Sequence, residues 1–529
     1  MEAIIKLAKK QEMAILGNLI KKGIILRESL EQEYSSPFEL QKQELRKLLI
    51  TSRDTLFGKA NNFNILLKSF RSPDFHHFYR SFIEQVPTYN YDSIYEEWWC
   101  KSYEGEANVC WPGKVKFFAL SSGTSGASSK YIPVTHDQIK AIRRTSMRQF
   151  LTLSKYKLPN SLFTTGMLML GGSTQLKYNG TFFEGDLSGI TANHIPFWFQ
   201  RFYKPGQRIA RHIDWEKKLD EITKKAYKWN IGFIIGVPAW VQILLEKIIR
   251  FYHLKNIHEI WPNFTIFVHG GVALEPYQHT FEKLLGKPLL YIETYLASEG
   301  FFAFQNRPDA DGMKMVLNNG IFYEFVPFNR TNFNDDGEMV RNPSSCMIHE
   351  LEEGKEYAML VTNCAGAWRY LIGDTIRLTN KEFTEISITG RTKHFLSLCG
   401  EHTSVDNMNK AIHLLESELK LGIKEFTVAG IPYQNLFAHH WYIGTERKAD
   451  PRIVKQKLDD FLKNLNDDYR TERGQGLKEI FVDLIPNSGF YEFLQLNGKV
   501  GGQNKFPRVL KNEKLKSWEE FLIKTRMHD

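Results

Sequence analysis

The chain has 529 residues, enough for two or more domains, and 42% of them are hydrophobic, enough for a large core. Its formal charge of +9 is spread along the chain, and without RNP, zinc-finger or helix-turn-helix patterns it suits anionic small molecules better than nucleic acid. Five cysteines without CxxC spacing argue against a disulfide framework or a zinc site, and no run nears the roughly 20 apolar residues of a membrane span. The opening stretch MEAIIKLAKKQEMAILGNLIKKG is broken by charges every few residues, so no signal peptide is expected and a cytoplasmic protein without membrane attachment is the default.

Residues 1–60 read as packing helices: Ile4, Leu7 and Ala8, then Leu16, Leu19, Ile20 and Gly23, recur at helical spacing. From about 115 to 300, strand-like and helix-like runs alternate. VKFFAL, GMLML, IGFIIGV, FTIFV and PLLYIE read as strands; DWEKKLDEITKKAYKWN and PAWVQILLEKIIRFYHL read as helices, the second with Pro at its start. This predicts an α/β domain with mixed or largely parallel, buried sheets. From about 320 to 390, GIFYEFVPF, EYAMLVTN and DTIRLTN have no long helix between them, which predicts an antiparallel β subdomain. A smaller α+β unit follows. The expected division is a large domain over 1–390, a hinge at 391–396 and a small C-terminal domain over 397–529.

The stretch ALSSGTSGASSKYIPVT follows a strand and is crowded with Ser, Thr and Gly. Small residues let backbone N–H groups converge on an anion, and Lys130 adds a point charge. The Walker spacing is absent. KYIPV reads as a second strand, and Thr135 with Gln138 has the spacing of a capping box opening the next helix. Strand, loop, strand and helix therefore succeed one another, which is not the order of a P-loop NTPase; a bland surface hairpin is the competing reading.

Three more clusters follow apolar strands or sit in apolar surroundings. HGGVALEP (269–276) is a glycine turn at a strand's carboxyl end, where ligands bind in α/β sheets. ETYLASEG (293–300) offers Tyr295 as a stacking face and Glu299 as an oxygen ligand for Mg2+. AWRYLIGDTIRL (367–378) places Asp374 after a glycine, and a carboxylate can accept from both hydroxyls of a ribose. Each alone is equally an ordinary turn or cap.

In order, these clusters resemble the adenylate-forming superfamily, and within it the Gretchen Hagen (auxin-responsive promoter) family of acyl acid–amino acid amido synthetases. In SSGTSGASSK the lysine is tenth from the first serine, as in that family, whereas the wider superfamily has it ninth. YLASE resembles the family's second ATP motif, WRYLIGD its third, GRTKHFLSLCGEHTS the superfamily hinge and GGQNKFPR the terminal motif. Two residues depart from the pattern: plant members usually have Arg at the position of Leu371, and the wider superfamily often has Thr at that of Ser298.

The resemblance implies a ligase that uses ATP and Mg2+, with small carboxylic acids and amino acids as its partners. It implies that Ser121, Ser122, Gly123, Thr124, Ser125, Gly126 and Lys130 handle the β- and γ-phosphates. Gly270, Gly271 and Val272 would lie against adenine, with Thr294 and Tyr295 beside them. Ser298 would contact the α-phosphate region, Glu299 would ligate Mg2+, and Asp374 would hold the ribose. Arg391 would lie near the nucleotide, Lys393 near the pivot, and Lys505 would come from the small domain to the α-phosphate. His194 and Trp198 are candidates for the acyl pocket, although an aromatic stripe is equally core. His439 and His440 do not read as a metal pair, because neighbours on a strand face opposite ways. Two alternatives stay open: an acyl-CoA synthetase with a thiol acceptor, and a non-catalytic relative that binds nucleotide or acyl group.

Overall fold

The computed structural model describes residues 18–19, 21–27, 35–70, 75–121, 130–272, 274–334, 337–393, 395–496 and 506–525. Ile4, Leu7, Ala8, Leu16 and Ile20 lie outside them. The rest of the N-terminal reading is helical: Ser36 caps the helix Pro37–Ser52 by accepting from the Glu39 amide, with Pro37 at its first turn.

The strands of the alternating segment form in place, and all but Phe117–Ser121, which pairs in a separate sheet, belong to one sheet. Among the described residues this sheet has eleven strands. From one edge it runs Ile321–Pro327, Glu356–Asn363, Tyr370–Asn380, Glu385–Arg391, Met313–Met315, Gly300–Phe304, Leu290–Ala297, Ile266–Gly270, Ile231–Gly236, Gly166–Leu170 and Tyr203–Lys204. The first seven pair antiparallel, and Leu290–Ala297 and the remaining four pair parallel. The expected antiparallel β subdomain is found within the large domain. Its strands are the antiparallel half of the same sheet, joined through the short strand Met313–Met315, which pairs on both sides. Three residues are too short to register as a strand in sequence, so the link was invisible there.

The far edge of the antiparallel half is covered by the helix Pro37–Ser52. Buried Gln41 accepts from the Tyr323 amide at 2.7 Å and donates to the Leu317 and Ile321 carbonyls at 2.6 and 3.0 Å. This occupies backbone groups that an open edge would leave unpaired. Arg369 and Glu324 form a buried ion pair at 3.0 Å, and Arg369 also donates to the Ile83 and Val86 carbonyls. That pair ties the helix Phe75–Gln85 to the sheet; removing one partner would strand the other charge.

The C-terminal part has its own four-stranded sheet, ordered Leu477–Pro486, Leu436–Thr445, Phe426–Tyr433 and Val509–Leu510. Helices Val405–Leu419 and Pro451–Leu465 pack with Trp441 and Val428, while Trp518 and Phe490 form a cluster with Tyr442 and Ala429. Alternate residues of each strand thus feed different cores. His439 and His440 follow the same alternation: His439 meets Glu401 at 3.0 Å and His440 meets Asp483 at 2.8 Å.

The two parts touch through the helix Pro238–Tyr252 and the helix Glu275–Leu284. Trp240 donates its indole N–H to Glu472 at 2.9 Å, Gln242 donates to the Asn435 carbonyl at 2.8 Å, and Tyr277 donates to the Leu398 carbonyl at 2.8 Å.

Candidate active site

A cleft of about 2790 Å³ runs between the carboxyl ends of the parallel strands and the small sheet. Leu290–Ala297, where parallel pairing changes to antiparallel, passes through its centre. Such a change leaves strand ends without a neighbour's turn to cover them, which is where α/β sheets bind ligands.

The two strands that flank the glycine–serine loop reach the cleft. Phe117–Ser121 and Lys130–Val134 form an antiparallel hairpin whose last pair is Ser121 with Lys130. Both line the cleft. Ser122, Gly123, Thr124, Ser125 and Gly126 lie outside the described residues. Burial pulls the Lys130 ammonium down to about 8, with nearby Glu299 acting against it, and its Nζ stands 5.2 Å from the centre of the Tyr91 ring. Thr135 caps the next helix by accepting from the Gln138 amide at 3.1 Å. The reciprocal half of the expected capping box is replaced: the Gln138 side chain donates instead to the Ser298 carbonyl at 2.8 Å. A tertiary contact has taken the residue that local spacing assigned to the helix start.

Gly270, Gly271, Val272, Thr294, Tyr295, Ser298, Glu299, Asp374 and Arg391 all line this cleft. Glycine is required at 270, where a Cβ would meet the Thr294 carbonyl oxygen at 2.4 Å, and suits 271, whose φ is +84°. Thr294 donates to the His269 carbonyl at 2.9 Å, pinning that turn to the central strand.

Asp374 and Arg391 stand directly opposite in their antiparallel strands, and the Arg391 Nε–H donates to Asp374 at 2.5 Å. The Tyr295 hydroxyl donates to the other carboxylate oxygen at 2.6 Å. Each oxygen keeps acceptor capacity, so the carboxylate is held in place and can still take a vicinal diol. Tyr295 corrects one expectation: its ring is 5% exposed and packs edge-on against Phe302 at 4.9 Å. It presents a phenol aimed at Asp374 rather than an open face for stacking.

Glu299 is 8% exposed. Its carbonyl accepts from Asn363 at 2.7 Å, and its own backbone amide donates to its carboxylate. Burial pushes its pKa up, with Lys130 among the groups acting against this. A buried carboxylate whose own amide does not offset its desolvation, facing a cleft, is relieved by a cation. Oxygen ligation suits Mg2+, which takes one or two protein carboxylates and completes its shell with phosphate oxygens and water. No group of three or more His, Cys, Asp or Glu among the described residues could hold a metal unaided. The residues therefore fit a metal that arrives with a phosphate.

The other candidates are more dispersed. His194 lines the cleft, with Nδ1 2.8 Å from the Ile190 carbonyl and its ring edge-on to Phe117. The Trp198 side chain and Lys505 lie outside the described residues, although Val509, Leu510 and Lys511 of the same C-terminal segment line the cleft. Lys393 points to exposed Glu338 at 3.1 Å. Leu371 packs beside Leu360 and Phe333, and its amide donates to the Tyr89 carbonyl at 2.8 Å.

Sequence reasoning missed Gln138, Asn363 and Lys218 in this cleft's architecture. Only Lys218 carried a signal. It falls on the apolar stripe of its helix with Trp215, Leu219 and Ile222, where a lysine is out of place.

The chain matches three family models in succession: GH3 family N-terminal domain over 26–207, GH3 family central domain over 314–391 and GH3 family C-terminal domain over 406–514. It is 27% identical over 330 residues to an indole-3-acetic acid-amido synthetase of Arabidopsis thaliana, covering 58% of this chain and 54% of that protein. It is 28% identical over 259 residues to a jasmonoyl–L-amino acid synthetase of Oryza sativa subsp. japonica, covering 45% of this chain and 38% of that protein. These matches span about half or less of the relatives' lengths. Among solved structures, an acyl acid amido synthetase shares the fold with a TM-score of 0.57 at 18% identity, over 94% of this chain and 96% of that one. A 2-hydroxyisobutyryl-CoA ligase shares the fold with a TM-score of 0.57 at 12% identity, over 92% of each chain. With all three family models matched in order, the chain belongs to the GH3 family.

Proposed function

We propose that this protein is an ATP-dependent ligase that joins a small carboxylic acid to the amino group of an amino acid through an acyl-adenylate, and that it works in the cytoplasm. The observation that carries this reading is the convergence of Lys130, Glu299, Asp374 and Arg391 on one cleft, from four separated sequence clusters. One plant relative is named an indole-3-acetic acid-amido synthetase and the other a jasmonoyl–L-amino acid synthetase, which supports amide-forming chemistry of this kind here.

In the first step the acid's carboxylate attacks the α-phosphorus of ATP. The bond to the bridging β-phosphate oxygen breaks, and pyrophosphate leaves with the electron pair. The loop Ser121–Gly126 and Lys130 hold the departing phosphates, Asp374 the ribose and Ser298 the α-phosphate region. Mg2+, when held by Glu299, neutralises phosphate charge. Lys505 adds a positive charge to the α-phosphate as charge builds there, an electrostatic contribution that costs little reorganisation if the lysine is already in place. In the second step the amine attacks the acyl carbon and loses a proton, and AMP leaves. The small domain rotates about 391–396 between steps, a hinge movement.

A thiol acceptor is the second reading, favoured by the fold shared with a CoA ligase. ATP–pyrophosphate exchange with pooled aryl, indole, fatty and amino acids, in the absence of amine, tests the first step. Acid-dependent exchange supports adenylation; ATP binding without exchange on any acid counts against it. Supplying amino acids or CoA to the active acid then separates amide from thioester formation.

A further inference from the structure

We infer that Lys218 reads the carboxylate of the acceptor amino acid, in a subsite at the seam between the two domains; the inference rests on the acyl-transfer reading above. Lys218 lies in the helix Trp215–Lys225 and is 3% exposed. Its Nζ donates to the Gly171 and Gly172 carbonyls, both at 3.1 Å. An ammonium has three donors, so one remains. No ion pair to Lys218 is found among the described residues. The one charged group acting on it is Asp186, whose carboxylate is engaged in capping its own helix through the Ser188 amide at 2.6 Å.

A buried ammonium held by two carbonyl dipoles and the Trp215 ring, 5.9 Å from its Nζ, is costly, because desolvation penalises the charge more than these and the engaged Asp186 return. Burial accordingly pulls its pKa down to about 8. Such a group is expected where a ligand's anion completes it. Gly171 and Gly172 directly follow the parallel strand Gly166–Leu170, and together with Asp186, Lys218 and Trp240 they line the cleft that also holds Glu299 and Asp374.

The position favours the acceptor over the acid's tail. The helix of Lys218 packs in the hydrophobic cluster that spans both domains, through Leu219 and Ile222. Trp240, 5.1 Å from the Trp215 ring, donates to Glu472 of the small domain. The apolar wall suited to an acyl tail, including Met167, Phe233 and Ile292, belongs to a different cluster. An acceptor entering after adenylation has to pass this seam. Apart from the reacting amine, the carboxylate is the group that all α-amino acids share, and it is what a lysine here can recognise.

The test compares the full-length protein with its Lys218→Gln and Lys218→Arg variants. Each amino acid is offered as free acid and as α-carboxamide. Binding is followed by calorimetry, and ATP–pyrophosphate exchange and amide formation are followed separately. The expected result is a preference of about tenfold or more for the free acid of at least one amino acid. Lys218→Gln abolishes that preference and raises the acceptor KM, Lys218→Arg retains part of it, and exchange stays within about twofold because it needs no acceptor. The inference is overturned if free acid and carboxamide bind alike, if Lys218→Gln keeps the preference, or if that variant loses exchange and thermal stability together, which would make the lysine structural. Carboxylate-selective binding that needs Lys218, in a protein without exchange on any acid, would sink the ligase reading and leave the subsite standing.

Discussion

Two buried glutamates, one in each domain, show how the same group is used in opposite ways. Glu401 of the small domain is fully buried and fully engaged: its oxygens accept from the Leu398 and Cys399 amides at 2.8 to 2.9 Å and meet His439 at 3.0 Å. Burial would raise its pKa, but His439 and the amides outweigh this and bring it down to about 2. Glu299 of the large domain is almost as buried, but burial outweighs its own backbone amide and the nearby Lys130 and Arg391 charges, and its pKa goes up. The first carboxylate organises a turn. The second is kept at a cost to the fold, as expected of a group that waits for a ligand.

The contrast is broken most forcefully at Glu401. Glu401→Ala leaves His439 and two amides without their acceptor, and a loss of about 3–5 kcal/mol is expected in urea denaturation. The sign with pH follows from a folded pKa of about 2 against an ordinary 4.5: the contribution, about 3 kcal/mol, is present above pH 4.5 and fades as pH falls towards 2. Glu299→Gln should do the reverse. Its folded pKa is raised, so the stability linked to it is present in acid and declines as pH rises through that value. At neutral pH the amide should leave the urea midpoint unchanged or higher while exchange falls about 10²–10³-fold. A variant that is both less stable and fully active would remove the distinction.

Smaller effects sharpen it. Lys505→Ala should slow adenylation about 10²-fold and the amide-forming step much less, as single-turnover kinetics would show; equal slowing of both steps would count against its role. For Lys130, whose ammonium is pulled down to about 8, kcat/KM for ATP should decline as pH rises past 8, a dependence that Lys130→Arg would move beyond the accessible range. Gln138→Ala removes only the 2.8 Å bond to the Ser298 carbonyl. About 1 kcal/mol is expected, read as a modest rise in the KM for ATP without loss of fold.

Local rules carried far. Thr135 as a helix cap, Lys130 in an extended strand, the helix starting at Pro238 and the opposed faces of His439 and His440 all follow from short-range geometry, and each is found. The glycine turn at 270–271 was legible because so few residues tolerate its crowding and its positive φ. Tyr295 was misread because a tyrosine after an apolar strand looks the same whether its ring or its hydroxyl faces the ligand. The side chain's burial against Phe302 decides between them.

The amino-acid sequence by itself determined the order of strands and helices, the strand pair that flanks residues 122–129 and the family. These depend on spacing, turn chemistry and motif order along the chain. Only the tertiary structure decided that three residues, Met313–Met315, join two halves into one sheet, that Gln138 leaves its own helix to hold Ser298, and that Lys218 is buried against two carbonyls with no ion pair among the described residues. The reason is the same in each case. Hydrogen bonds and desolvation act between groups that folding brings together from tens to hundreds of residues apart, and a periodicity read along the chain carries no record of those partners.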